Sequence, residues 1–101
     1  MYNIREHSFK RLDYMNKRLK TTAFSIQPST KKGKKIDVLI RGRVVASIGD
    51  INSMDFPQYL EKDGMEIAVK RREAYYNRFS RLPNVKDDKV TNMFFSRWFL
   101  W

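Results

Sequence analysis

Basic side chains recur along this chain at helical spacing, and the chemistry they offer is the binding of anions. The first row contains two pairs of residues seven positions apart, Lys10 with Lys17 and Arg11 with Arg18. Because seven residues make about two helical turns, the members of each pair share a face. A second row holds three arginines: Arg71, Arg78 and Arg81. Arginine grips phosphate, and neighbouring tyrosines offer rings on which bases stack. Both rows also fit solvated helix faces. Contact with another protein is a further alternative for each, with a neighbouring subunit for the first row and a protein partner for the second.

A third basic segment spans residues 28–35, where proline, serine and glycine interrupt a run of lysines. These lysines are Lys31, Lys32, Lys34 and Lys35. Like charges repel one another and proline and glycine favour turns, so the segment is predicted to be a loop. It lacks the Gly-x-x-x-x-Gly-Lys-Ser/Thr order, which excludes a nucleotide-binding P-loop.

The net charge of +10 is unevenly distributed along the chain. Residues 1–35 carry ten bases against two acids, a net of +8. Residues 36–63 carry a net of −2, and residues 64–101 a net of +4. A near-neutral centre flanked by two basic ends favours a polyanionic partner, either a nucleic acid or an acidic protein surface.

Catalytic chemistry finds little support in this sequence. The single histidine, His7, lies in the basic N-terminal segment, and the chain has no cysteine. Disulfides, thiolate zinc sites and cysteine nucleophiles are therefore excluded. The oxygen-bearing residues of 50–55 lack the spacing of a calcium loop and fit turns instead. We expect no catalytic residues, no metal, no cofactor and no small-molecule substrate.

The elements that must position these residues begin with a short amphipathic helix over residues 5–20. Phe9, Leu12 and Leu19 recur at helical spacing with Met15 or Asn16 between them, although extended structure is an alternative. Residues 22–27 fit either a first strand, which we favour, or the end of a basic arm. We assign residues 1–34 as this N-terminal arm and residues 35–101 as a single domain.

A β-hairpin over residues 35–48 is the clearest element. Ile36, Val38 and Ile40 alternate with other residues, and a second β-branched run follows Gly42, which supplies the positive φ of a tight turn. Residues 49–63 are predicted to be an irregular connector. Two strands are marginal in water, so helices must cover one face of the hairpin.

Two helices are predicted after the hairpin. The first begins at Asp63 with Glu66 completing a capping box, and Pro83 explains its end. The second begins near Lys89 or Thr91 and carries an aromatic cluster, in which the expected packing or partner anchors are Phe95, Trp98, Phe99 and Trp101. Packing of these rings on the hairpin is favoured, with anchoring to another protein as the alternative. Arg97 is expected to form a cation–π contact or an ion pair with Asp87 or Asp88.

These elements predict an α+β fold: a small antiparallel β-hairpin or three-stranded sheet, covered by a basic helix and a C-terminal aromatic helix and preceded by a basic arm. Residues 35–101 also resemble a family of small, basic, uncharacterised proteins encoded by large double-stranded DNA viruses and some phages. The resemblance lies in the strand pair, the segment Lys70-Arg71-Arg72-Glu73-Ala74-Tyr75-Tyr76-Asn77-Arg78 and the terminal Ser96-Arg97-Trp98-Phe99-Leu100-Trp101 box. It implies a viral origin and brings no activity with it.

The sequence thus predicts a non-enzymatic virion protein, a minor capsid or internal component, whose basic arm contacts acidic capsid surfaces or packaged DNA. The alternative is a soluble, sequence-nonspecific nucleic-acid-binding protein. The chain contains no apolar run of about 20 residues that would span a membrane. Its first residues lack the core of a signal peptide. We therefore expect it in the virion, and inside the host cell during assembly.

Overall fold

The computed structural model describes residues 1–87 and 89–101. In chain order the elements are α1 (Glu6–Arg18), β1 (Phe24–Pro28), β2 (Lys34–Ile40), β3 (Arg43–Asp50), α2 (Phe56–Asp63), α3 (Met65–Arg78), β4 (Val85–Lys86), β5 (Lys89–Val90) and α4 (Asn92–Leu100). The predicted α+β class is confirmed. None of the helices in the described part of the chain has the length and apolar character needed to cross a membrane.

An antiparallel sheet with the strand order β1-β2-β3 organises the molecule. The predicted hairpin is confirmed as β2 and β3, and Ile36 lies opposite Ile48. Its turn consists of Arg41 and Gly42, whose φ values of 52° and 79° are both positive, as a type I′ turn requires. The favoured first strand is also present, since β1 pairs with β2 and places Ile26 opposite Val38.

The C-terminal helix α4 covers one face of the sheet and forms the core with it. Thr91 caps α4 by accepting a hydrogen bond from the Phe94 N–H. Phe99 and Leu100 are fully buried against the apolar face of the sheet. The aromatic tail therefore packs within the fold, as favoured over anchoring to another protein. Three further aromatic side chains of the tail are partly buried: Phe94, Trp98 and Trp101.

The N-terminal residues assigned to an arm belong to the same fold as the rest of the chain. The predicted helix is present as α1 and packs against α4, where the Ser8 hydroxyl donates to the Phe99 carbonyl at 2.6 Å. Ser8 and Met15 form the buried side of α1, whereas Phe9 and Leu19, expected on its apolar face, are exposed. The boundary at residue 35 thus differs from the structure, because β1 completes the sheet and α1 covers α4.

The helix predicted to follow Asp63 is confirmed as α3, although its N-cap is Gly64 and it lacks the predicted capping box. The predicted connector over residues 49–63 is wrong in its second half, because residues 56–63 form α2. Asp55 accepts a hydrogen bond from the Gln58 N–H, and the Gln58 side chain accepts from the Asp55 N–H, so the capping box lies here. Gly64, with a φ of 84°, joins α2 to α3. The α2–α3 pair packs together, and Ala68 is the buried residue of α3.

Candidate functional site

A groove of about 830 Å³ opens between α3 and the part of the molecule formed by the β2 and β3 strand ends and α4. We call it the basic groove, because Lys34, Arg71 and Arg78 line it. Both arginines are exposed and Lys34 is half-buried, so their charged groups remain available to a ligand. Asp50 also lines the groove and is exposed.

Local structure explains how these cations come to one place. Arg71 and Arg78 are seven residues apart on α3 and therefore share a face of that helix. Gly64 turns the chain so that α3 folds back on α2. Lys34 is the first residue of β2 and pairs with Asp50 at the end of β3, which places it at the edge of the sheet that borders the groove.

Four aromatic rings, carried by α2, by α3 and by the residues that directly follow α3 and α4, form the floor of the basic groove. Tyr75 of α3 stacks on Trp101 with a centroid distance of 4.2 Å and an interplanar angle of 9°. The ring centre of Tyr59, on α2, lies 6.2 Å from that of Trp101, and the ring centre of Phe79 lies 4.9 Å from that of Tyr75. These ring contacts connect α3 and α2 to the C-terminal end of α4 through side chains.

Polar contacts hold the floor and the rim in place. The Tyr75 hydroxyl lies 3.2 Å from the Ser96 Oγ, and burial raises the pKa of Tyr75, which keeps its proton. The guanidinium of Arg71 lies 5.4 Å from the centre of the Tyr59 ring, and that of Arg78 lies 5.2 Å from the centre of the Phe79 ring. Cation–π contacts of this kind orient both arginines at the rim while leaving their donors free to bind an anion.

A buried ion pair, Lys35 with Asp55, is part of the lining of the basic groove. The Lys35 Nζ donates to Asp55 Oδ2 at 2.9 Å, to Gln58 Oε1 at 2.8 Å and to the Ser53 carbonyl, so all three donors are used. Lys35 is 2% exposed and Asp55 is 1% exposed. Burial lowers the pKa of Lys35, although the Asp55 carboxylate acts in the opposite direction.

The N-terminus of the chain completes this buried cluster. The Tyr2 hydroxyl donates to Asp55 Oδ2 at 2.7 Å. Burial, reinforced by that carboxylate, raises the pKa of Tyr2 well above its ordinary value. Lys35, expected to contact a polyanion, is therefore a structural residue, because its charge is neutralised inside the protein.

Arg11 is the second expected contact residue that the structure commits to internal packing. Its guanidinium lies 3.7 Å from the centre of the Trp98 ring, and its Nε donates to the Trp98 carbonyl at 2.9 Å. The Trp98 indole returns a hydrogen bond to the Arg11 carbonyl at 3.0 Å. These contacts fasten α1 to α4, so Arg11 stabilises the fold.

The other predicted contact residues lie on the surface but do not all converge. Lys10 pairs with Glu6 at 3.4 Å, and its neighbours on α1, Lys17 and Arg18, are exposed. The loop lysines Lys31 and Lys32 are exposed next to Lys34. Arg81 is exposed beyond the end of α3. The predicted set thus separates into α1, loop and α3 groups, and the basic groove brings together Lys34 of the loop group with Arg71 and Arg78 of the α3 group.

The four predicted anchors all contact other parts of the chain. Phe95 and Phe99 are buried in the core, and Trp98 and Trp101 pack against Arg11 and Tyr75 respectively. Arg97 donates to the Asn84 side chain and to the Phe79 carbonyl rather than forming the expected ion pair with Asp87. The alternative partner for Arg97, Asp88, lies outside the described residues.

Sequence reasoning missed the residues that hold the site together, namely Tyr2, Asp55 and Gln58. The signal for two of them was the order Asp55-Phe56-Pro57-Gln58, which contains both members of a capping box and a proline suited to the first helical turn. Nothing in the sequence around Tyr2 indicates its partner, because Asp55 is 53 positions away.

The arrangement as a whole offers binding chemistry. Among the residues that the structure describes, no group of three or more histidine, cysteine, aspartate or glutamate side chains is placed to hold a metal ion. The buried Asp37 accepts hydrogen bonds from the Ser29 and Ser47 hydroxyls at 2.6 and 2.7 Å, and thereby ties three backbone segments together.

No protein-family model matches the chain, and no curated protein or solved structure matches it either.

Proposed function

We propose that this protein is a non-enzymatic, sequence-nonspecific nucleic-acid-binding protein that holds single strands in the basic groove. The observation that carries the proposal is the meeting of Lys34, Arg71 and Arg78 around an aromatic floor. Cations that follow a backbone and rings that accept bases are the two components of single-strand binding sites.

The charge of the groove supports binding of a phosphate backbone. Among the described residues that line the groove, Lys34, Arg71 and Arg78 oppose one carboxylate outside the Lys35–Asp55 pair, that of Asp50. Phosphate contacts made by exposed lysine and arginine do not depend on base sequence. The excess of positive charge over the whole chain, +10, adds long-range attraction for any polyanion.

The aromatic floor favours single strands over duplexes. In a duplex the faces of the bases are covered by their neighbours, whereas an unpaired base is free to stack on a side chain. Tyr59 and Trp101 are both partly exposed in the groove. Each base stacked on a protein ring contributes about 1–3 kcal/mol, so even one such contact gives a preference for unpaired strands.

Binding of labelled oligonucleotides across a salt series tests the proposal. The slope of log affinity against log salt for a single strand is expected to fall by about 0.7 for each phosphate contact removed. The variant Lys34→Gln/Arg71→Gln/Arg78→Gln should therefore have a slope smaller by about 2. The control is Lys62→Gln, since Lys62 is exposed on α2 and does not line the groove.

Three results would contradict the proposal. The first is equal loss of affinity in the triple variant and in the Lys62 control. The second is a Tyr59→Ala variant that keeps the affinity of the native protein for single strands. The third is a preference for duplex over single-stranded DNA at every salt concentration.

A place in a virion stays a prediction about where this binding operates. The exposed Lys17, Lys31 and Lys32 remain available for packaged DNA or acidic capsid surfaces, although they extend from a folded domain rather than from a free arm. Mass spectrometry of purified particles after a high-salt wash checks this role, and the absence of the protein from such particles would contradict it.

A further inference from the structure

A second groove of about 800 Å³ lies on the opposite side of α4 from the aromatic floor and shares no lining residue with the basic groove. We call it the apolar groove. It is bounded by the last turn of α1, the turn end of the sheet, β5 and the first turns of α4. Large apolar side chains that are about half exposed gather in it: Tyr14, Leu19, Val45 and Val90.

The apolar groove is a continuation of the hydrophobic core that the described chain leaves uncovered. Met15 and Phe95, both members of the core, line it. Phe24 of β1 and Ile40 of β2 lie opposite each other at the turn end of the sheet, and they extend the face that α4 covers nearer the other end of the strands. A contiguous apolar surface of this kind is a mark of an interaction site, since leaving it in water is unfavourable.

The charges around the apolar groove define the partner. Its charged lining residues among those described are Arg18 and Lys89, both of them basic and exposed. A second copy of this chain would bring another net charge of +10 to the same place and be repelled. The complementary ligand has apolar side chains flanked by carboxylates.

The backbone requirement defines the shape of the partner. The groove is formed by side chains on the face of the sheet, where strand hydrogen bonds are already made within the sheet. A ligand there must satisfy its own backbone hydrogen bonds, and an α-helix does so without help. We propose that the apolar groove docks an acidic amphipathic helix of a partner protein, whose carboxylates face Arg18 and Lys89.

A designed helical peptide of about 15 residues tests the inference. It carries leucine and phenylalanine at helical spacing on one face and glutamate elsewhere, and the matched control peptide carries lysine in place of glutamate. Fluorescence anisotropy measures the affinity of each labelled peptide for the full chain. Methyl chemical shifts of Leu19 and Val45 report whether the peptide enters the apolar groove.

Two substitutions with matched controls locate the contact. Leu19→Asn should weaken binding of the acidic peptide about tenfold, and Leu82→Asn, at another exposed leucine that does not line the groove, should leave it unchanged. Arg18→Gln should weaken it roughly threefold, whereas Lys17→Gln on the same helix should not. Circular dichroism verifies that all four variants are folded.

The inference is overturned if the acidic peptide does not bind, or if the lysine peptide binds equally well. It is also overturned if Leu19→Asn has no effect on the affinity. Self-association of the native protein that Leu19→Asn abolishes would assign the groove to a second copy and would equally reject the partner helix. Because Arg71 and Arg78 play no part here, failure of this test leaves the nucleic-acid proposal unaffected.

Discussion

Replacing Lys35 with methionine is expected to destabilise the protein by about 3–5 kcal/mol. Methionine preserves much of the aliphatic volume but removes the charge and the three hydrogen bonds that the ammonium makes. Asp55, which is 1% exposed, would then remain in the interior without its cation. Leaving one member of a buried pair uncompensated costs more than the pair itself contributes, because the remaining charge stays out of water.

The magnitude is large relative to the whole free energy of unfolding. Domains of this size have about 5–15 kcal/mol in total, so the substitution removes a substantial part of it. The melting temperature should fall by more than about 10 °C. Urea unfolding followed by tryptophan fluorescence measures the free energy directly, because Trp98 and Trp101 are both partly buried in the fold.

Lys34→Met is the matched control, since Lys34 precedes Lys35 in the chain but is half-buried and contacts no carboxylate in the described ion pairs. It should change the free energy of unfolding by less than about 0.5 kcal/mol. The double variant Lys35→Met/Asp55→Asn should lose about 0.5–3 kcal/mol less than the sum of its singles. Equal effects of Lys34→Met and Lys35→Met, or strict additivity in the double variant, would refute this account of the pair.

Three further predictions concern packing, pH and the contact between α1 and α4. Gly49→Ala should cost about 2–4 kcal/mol in urea unfolding, because a Cβ there would lie 2.7 Å from Leu100 Cδ1 and the φ of Gly49 is +80°. Burial, helped by the charge of Arg11, lowers the pKa of His7, so the folded protein binds this proton less readily than the unfolded chain. Protonation of His7 therefore does not reduce the free energy of unfolding above about pH 6.5, the ordinary pKa of histidine, and reduces it increasingly as the pH falls below that value. His7→Asn should flatten the decline in melting temperature between neutral and mildly acidic pH. Arg11→Lys keeps the charge but loses the planar stack on Trp98 and the Nε hydrogen bond, and should cost about 1–2 kcal/mol by urea unfolding.

Each of these predictions has a control and a contradicting result. Gly33→Ala isolates the cost of positive φ, since Gly33 has a φ of +83° and no atom within 4 Å of the added Cβ. An equal loss at Gly33 and Gly49 would show that contact with Leu100 is unimportant. Identical pH profiles for native protein and His7→Asn would rule out titration of His7. Arg18→Lys, at an exposed position, controls for Arg11→Lys, and equal effects of the two would contradict the stacking argument.

Features that depend only on residues close together in the chain were predictable from the sequence. The hairpin turn follows from Gly42, whose flexibility permits the positive φ of a type I′ turn. The helix α4 follows from the cap at Thr91 and the spacing of the aromatic residues after it. The rows of basic residues on α1 and α3 were likewise visible in the sequence, because helical periodicity depends only on residues close together in the chain.

Two local signals were misread because competing signals lay close by. Asp63 and Glu66 have the spacing of a capping box, but Asp55 and Gln58 form the box at the start of the preceding helix, α2. On α1, Phe9 and Leu19 fit an apolar stripe, yet the buried residues are Met15 and Ser8, and Ser8 faces α4. The hydroxyl of Ser8 finds a carbonyl partner there, which hydrophobic spacing does not register.

The sequence by itself determined the types of the main elements, the positive charge and the aromatic character of the last helix. Only the tertiary structure decided which charges face solvent. Lys34 and Lys35 are adjacent and chemically identical, but strand alternation sends them to different sides, and Asp55, 20 residues away, captures Lys35. Lys34 meets Arg71 and Arg78 because the turn at Gly64 folds α3 back on α2. Contacts between residues far apart in the chain depend on how the elements pack, and periodicity within an element carries no information about its neighbours.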